Sequence, residues 1–239
     1  MPNKYINKLE SKRVLVLGGT SGIGFGVVEA ALELGATVAI SGSNMPKLEK
    51  TRDRLVAQYP GIARDRIILK DCDLADSTSM EANIKALFGA ATDGGKHKLD
   101  HVVHTAGDAL GIITLAEFTA EKWEQITRVR TLTCIFTAKF ANQYLHESPD
   151  SSITFTSGVN GHKPGKDWSI MAASGGAVEA FTRGAAVDLA PIRVNCVSPG
   201  AIQTELFSGI SPEAERMYED KTLTKRLGRP NDTAEAYSE

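Results

Sequence analysis

The stretch Arg13-Val14-Leu15-Val16-Leu17, followed at once by Gly18-Gly19-Thr20-Ser21-Gly22-Ile23-Gly24, decides the fold of this chain. Its first five residues are β-rich and uncharged after Arg13, as a strand buried on both faces of a parallel sheet should be. Glycines at i, i+4 and i+6 then mark a turn from strand to helix. Gly18 permits the tight turn, Gly22 lets backbone approach a phosphate with no side chain between, and Gly24 lets the helix pack on the strand. With the helix N-terminus facing an anion, the turn reads as a pyrophosphate loop to which Thr20, Ser21 and Ile23 also contribute. A glycine triplet alone also serves as a plain helix cap. Its place between a strand and a helix is what favours the dinucleotide reading.

Outward from this turn, short apolar runs alternate with longer segments of helical period, the pattern of βαβ units around a parallel sheet. Strands are expected over 13–17, 37–40, 66–69, 101–104, 153–156 and 192–197. Helices are expected over 25–34, 47–58, 77–88, 120–144 and 172–190, with Asp76 as the N-cap of the third. The result is an α/β fold, a single doubly wound Rossmann-type domain over 1–239. Ligands belong beyond the carboxyl ends of its strands.

Charge and composition narrow the function. The chain has 239 residues, with 27 Lys+Arg against 29 Asp+Glu and a net charge of -2. A duplex-binding module would concentrate cations on one face, so no nucleic-acid partner is expected. There is neither a signal-peptide core at the start nor an apolar run of about 18 residues, so no membrane association is expected. Cys72, Cys134 and Cys196 are isolated and form no CxxC pair, which places the protein in a reducing compartment, the cytoplasm. The pairs Asp71/Asp73 and His101/His104 are explained better by strand alternation than by a metal site.

Further motifs follow in order: Asp73-Leu74 after the third strand, His104-Thr105-Ala106-Gly107 after the fourth, and Arg193-Val194-Asn195-Cys196-Val197-Ser198-Pro199-Gly200 with Ile202 and Thr204 beyond it. With the glycine turn, these resemble the short-chain dehydrogenase/reductase family over nearly the whole chain. The resemblance implies that Asp73 and Leu74 border an adenine, that Thr105, Ala106 and Gly107 line the cofactor site, and that Pro199, Gly200, Ile202 and Thr204 close over nicotinamide and phosphates. It also implies a homodimer or homotetramer built on helices 120–144 and 172–190. A further strand and a short tail are expected after Arg226-Leu227-Gly228-Arg229-Pro230, but the sequence stops at Ser238-Glu239.

The end of the second strand speaks to the choice of cofactor. An NAD site usually has an acid there to hold the ribose hydroxyls, and that acid repels a 2′-phosphate. Here the residues are Ser41, Gly42, Ser43 and Asn44, with Lys47 close by and no acid before Glu49. Hydroxyl and amide donors suit a phosphate, so NADPH is the expected cofactor. The alternative is that Ser41, Ser43 and Asn44 only form a turn.

By the same resemblance, a Tyr, a Lys four residues on, a Ser and an Asn reduce carbonyls. In Met171-Ala172-Ala173-Ser174-Gly175-Gly176-Ala177, Met171 holds the Tyr position and Gly175 that of the Lys. Arg130 holds that of the Asn, and Ser157 alone is kept. A ketone becoming an alkoxide needs a positioned acid, worth about 10²–10⁴-fold. An iminium does not, because hydride addition to C=N⁺ gives a neutral amine directly. Among such depleted members, the chain is most similar to the fungal reductase/Diels-Alderases of malbrancheamide- and paraherquamide-type indole alkaloids. That resemblance implies a small-molecule substrate, a prenylated indole dipeptide-derived iminium, reduced with NADPH and then closed by an intramolecular cycloaddition. It makes Asp167 and Arg130 catalytic along with Ser157, and places Trp168 and Met171 against the substrate. Two alternatives remain open. One is a reductase of another substrate that takes its acid from Ser157, Asp167 or water. The other is a non-catalytic dinucleotide-binding protein in which Asp167 is a turn residue and Arg130 a structural cation.

Overall fold

Val14, Leu15, Val16 and Leu17 are each 0–2% exposed, and they fill two different cores. Successive side chains of a strand point to opposite faces. Leu15 and Leu17 join Met80, Ile84, Leu87 and Phe88 in one cluster, while Val14 and Val16 join Val28, Leu32, Leu48 and Leu55 in the other. Each fully buried aliphatic side chain contributes roughly 1.5–3 kcal/mol. This strand, β1 (Arg13–Leu17), therefore ties both helical layers to the sheet.

The computed structural model describes residues 8–108, 111–207 and 211–237. Beside β1 run β2 (Thr37–Gly42), β3 (Ile67–Asp71), β4 (His101–His104), β5 (Ser152–Thr156) and β6 (Arg193–Val197). All pair in parallel, in the order β3-β2-β1-β4-β5-β6. The order reverses direction between β1 and β4, which opens a crevice at their carboxyl ends. The helices α1 (Gly22–Glu33), α2 (Met45–Gln58), α3 (Met80–Ala91), α4 (Ala120–Thr127), α5 (Thr133–Tyr144), α6 (Ser169–Asp188), α7 (Pro212–Lys221) and α8 (Pro230–Ala234) complete the described fold.

Three expectations need correction. Helix α1 begins at Gly22, inside the glycine turn, rather than at residue 25. Asp76 does not cap α3, whose N-cap is Ser79. Its carboxylate instead accepts from Thr78 N at 3.0 Å and from Ser79 Oγ at 2.8 Å, closing a tight turn one step earlier. The single helix expected over 120–144 is interrupted by a π-helical turn, Arg128–Leu132. Around this turn side chains take up backbone carbonyls. Thr133 Oγ1 donates to the Val129 carbonyl, and Cys134 Sγ donates to the Arg130 carbonyl at 3.1 Å. Such back-bonding competes with the helical ladder and bends it. Hydrophobic period alone does not register this, since the apolar face continues through the turn.

His104, at the end of β4, is fully enclosed and lies 2.7 Å through Nε2 from Thr133 Oγ1. Burial pushes its pKa down to about 4, and burial does the same to His101. Between that value and the ordinary 6.5 the unfolded chain binds more protons than the folded one, so stability falls as pH drops through this window. For His104 alone the loss at about pH 5 is about 2 kcal/mol relative to neutral pH. Thermal melts from about pH 7 to about pH 5 are expected to show a falling Tm. His104→Gln, which cannot charge but can still bond Thr133, should flatten part of that slope; an identical slope in the variant rejects the assignment.

Candidate active site

The glycine turn is shaped by what stands against it. Gly18 has φ +84, and a Cβ there would lie 2.7 Å from Ala106 N. At Gly24 a Cβ would lie 2.3 Å from the Gly18 carbonyl oxygen and 2.4 Å from Thr105 Oγ1. Gly22, at φ +54, faces the Thr204 side chain. Ser21 caps α1 without a side-chain hydrogen bond, and the first turn carries no acid. The N–H groups at this helix end are thus left for an anion.

In front of them lies a groove of about 460 Å³. Of the residues expected to hold the dinucleotide, Gly18, Thr20, Ser21, Gly22, Ile23, Gly24, Ser41, Ser43, Asp73, Leu74, Thr105, Ala106, Gly107 and Thr204 line it. The glycine cradle, which added Cβ atoms would fill, fits a nicotinamide dinucleotide. Four expected residues lie elsewhere. Asn44 caps α2, its Oδ1 accepting from Lys47 N at 2.9 Å. The Val159 N–H donates to the Pro199 carbonyl at 2.9 Å, tying Pro199 to the turn after β5. Gly200 is exposed, and Ile202 packs its Cδ1 into the space a side chain at Gly228 would need, 2.4 Å from that Cβ position. Lys47, Glu205 and Asp108 also line the groove. Lys47 extends its Nζ to 3.3 Å from Ser21 Oγ, at the β2 end of the groove.

A second, smaller pocket of about 60 Å³ is lined by Arg130, Ser157, Trp168, Met171, Ser174 and Gly175, among others. Its enclosed part has room for the reacting end of a substrate rather than for a whole polycyclic skeleton. Arg130 enters from the π-helical turn. Its guanidinium lies flat against Gly107, where a Cβ would come within 2.9 Å of Nη1, and its Nη2 donates to the Asp108 carbonyl. Burial pulls its pKa below the usual arginine value, with the Asp108 charge opposing. Arg130 therefore joins the two pockets. Met171 is buried on α6, and Gly175 one turn on leaves a gap in which a Cβ would stand 3.1 Å from Ser157 Oγ.

Asp167 does not line this pocket. It is exposed, at φ +67, in the loop before α6, and its carboxylate makes no hydrogen bond or ion pair with any described residue, Arg130 included. Asp is among the few side chains that tolerate such a left-handed turn. Behind Ser157 stands a carboxylate that sequence reasoning passed over. Glu179 Oε1 accepts from Ser157 Oγ at 2.9 Å and from Ser198 Oγ at 2.9 Å, and Oε2 lies 3.1 Å from His162 Nε2. Its spacing was the available signal: Glu179 follows Gly175 by four residues, on the same helical face.

Comparison with known proteins agrees with this geometry. Residues 5–219 match the family model described as an SDR-like Rossmann domain. The short-chain dehydrogenase/reductase malC of Malbranchea aurantiaca is 39% identical over 236 residues, spanning 96% of this chain and 88% of that one. The short-chain dehydrogenase/reductase ucsE of an Acremonium species is 38% identical over 245 residues, spanning 99% and 91%. The structure described as MalC reductase/Diels-Alderase from Malbranchea aurantiaca superposes with a TM-score of 0.89 at 38% identity, covering 97% of this chain and 90% of that one. With its glycine-turn groove, six-stranded parallel sheet and full-length relatives, this chain belongs to the short-chain dehydrogenase/reductase family of oxidoreductases.

Proposed function

We propose that this protein is an NADPH-dependent reductase of a cationic cyclic imine in fungal indole alkaloid biosynthesis, and that its pocket also holds the product for an intramolecular Diels–Alder closure. One observation carries the reading. The wall that faces substrate has Met171 and Gly175 where a proton donor and its partner cation would otherwise stand, so the site is not equipped to protonate an alkoxide. A C=N⁺ group needs no such proton. The likeness to the MalC reductase/Diels-Alderase supports the same reading.

When bound, NADPH supplies the hydride. The chain's own residues do the rest. The α1 N-terminus and the glycine turn hold pyrophosphate. Ser43, just beyond β2, and Lys47, in the first turn of α2, suit a 2′-phosphate, with no acid in residues 41–48. Arg130 presents a planar fork of donors that can hold a substrate carbonyl, and Trp168 offers a flat apolar face for an aromatic ring. Asp167, next to Trp168 in the chain and without a partner among the described residues, is the exposed anion available to a cation at the pocket mouth. Cycloaddition asks mainly for conformational restraint, which a close apolar wall around Met171 can supply.

Mixing the protein with NADPH and a cyclic iminium such as dihydroisoquinolinium should oxidise the cofactor, read by nicotinamide absorbance. Tight NADPH binding without oxidation by any imine points instead to a non-catalytic dinucleotide-binding protein. Asp167→Ala should lower kcat by about tenfold or more, the loss of one charge contact, with NADPH affinity intact; unchanged turnover removes Asp167 from the mechanism. Lys47→Ala should weaken NADPH by roughly tenfold and NADH hardly at all. Equal losses for both cofactors count against a 2′-phosphate contact. The double variant Met171→Tyr, Gly175→Lys should gain reduction of neutral ketones if an acid is all that the pocket lacks.

A further inference from the structure

Ser157 is the pocket hydroxyl that stands against Gly175, 3.1 Å from where a Cβ there would lie, and its hydrogen is already taken. A serine hydroxyl has one hydrogen and two lone pairs. Both groups to which it can donate are acceptors: the Gly175 carbonyl at 3.2 Å and Glu179 Oε1, outside the pocket lining, at 2.9 Å. An ionised carboxylate is the stronger acceptor of the two. Glu179 is held for this role. Ser198 Oγ donates to the same oxygen, His162 Nε2 stands against the other, and Gly161 makes room, since a Cβ there would lie 3.3 Å from Oε1. The carboxylate is largely covered, with 13% of its side chain exposed, whereas the His162 ring is 64% exposed. No lysine or arginine of the described residues pairs with it, and Gly175, one turn earlier on α6, has no side chain to do so. After burial, its charge is the next cause of the raised pKa of the Cys196 thiol on β6.

We propose that Glu179 is a specificity-determining positioning residue, which by taking the Ser157 hydrogen turns that hydroxyl into an acceptor towards the pocket and so selects a cationic or N–H-bearing group over a neutral carbonyl. This deepens the iminium reading above and rests on it. A carbonyl oxygen placed at Ser157 meets lone pairs and a carboxylate behind them. An iminium or ammonium placed there meets an oxygen whose negative character the carboxylate reinforces. Arg130, in the same lining, has N–H donors beyond the Nη2 bonded to the Asp108 carbonyl and can offer them to a carbonyl of the same substrate.

The test is a ratio of affinities, measured by titration calorimetry with NADPH present. The probes are tetrahydroisoquinolinium, a cation with N–H donors, and N-methyl dihydroisoquinolinone, a neutral lactam of the same ring size; neither has a C=N bond to reduce. The wild-type protein should favour the cation. Glu179→Gln should lose roughly tenfold of that preference, the scale of one hydrogen bond to a charged group, with NADPH affinity unchanged. Glu179→Asp should recover part of it. If Glu179→Gln does not fold, Ser157→Ala decides, since it removes the hydroxyl and should also erase the preference. A ratio equal to wild type in the variant measured overturns the proposal. Because no turnover is read, a protein that reduces no imine contradicts the function proposed above without touching this result.

Discussion

The site depends on a contact that leaves no room for a single methyl group. At Gly24 the space of a Cβ is taken by the Gly18 carbonyl and Thr105 Oγ1, both under 2.5 Å from it. Thr105 in turn donates through its N–H and its Oγ1 to the Leu17 carbonyl, each at 2.9 Å. The end of β1, the first turn of α1 and the end of β4 are thereby drawn to one point. That junction aims the α1 N-terminus into the crevice and sets Gly107 where Arg130 can lie flat upon it. Loosening it would move the phosphate cradle and the substrate wall together.

Around this junction the protein has rearranged charge rather than fold. The sheet order and the cofactor groove are those of its family, while the wall that supplies a proton elsewhere carries a thioether and a bare backbone. In the proposed site two groups of opposite charge stand near that wall. Arg130 reaches in from a π-helical turn, and Glu179 stands behind Ser157. Buried charges are tolerated only when hydrogen-bonded or paired. Arg130 has the Asp108 carbonyl, and Glu179 has two hydroxyls and an imidazole. The same bonds that make these groups tolerable also fix which of their atoms are already engaged.

Much of this was legible in the residues. The unbroken apolar run of β1, the glycine spacing and the absence of Tyr and Lys at 171 and 175 are local facts of residue type, so no folding was needed to see them. Thirteen of the fourteen expected groove residues that do line it stand just beyond or at strand ends or in the glycine turn, where backbone topology dictates direction, and Thr204 reaches it from the loop after β6. The expectations that went astray depend on side-chain direction instead. Asn44 and Asp76 are short acceptors near helix starts, where several N–H and hydroxyl donors compete for them, and only the packed turn decides which is met. Asp167 shares its loop with Trp168, yet a left-handed backbone places it outside the pocket that Trp168 enters.

By itself the sequence determined a parallel sheet, a dinucleotide loop and a site with Met171 and Gly175 in place of the family's Tyr and Lys, because each follows from periodicity or from the presence or absence of a particular functional group. Tertiary structure alone decided where the Ser157 hydrogen goes. Ser157 and Glu179 lie 22 residues apart and Ser157 and Ser198 farther still, so no local pattern records that one carboxylate oxygen collects both hydroxyl hydrogens. Nor does helical period reveal the π-helical turn that delivers Arg130, since hydrogen bonds from Thr133 and Cys134 compete with the ladder there while the apolar face runs on. Hydrogen-bond direction is a property of which groups meet, and that is settled only when the chain has packed.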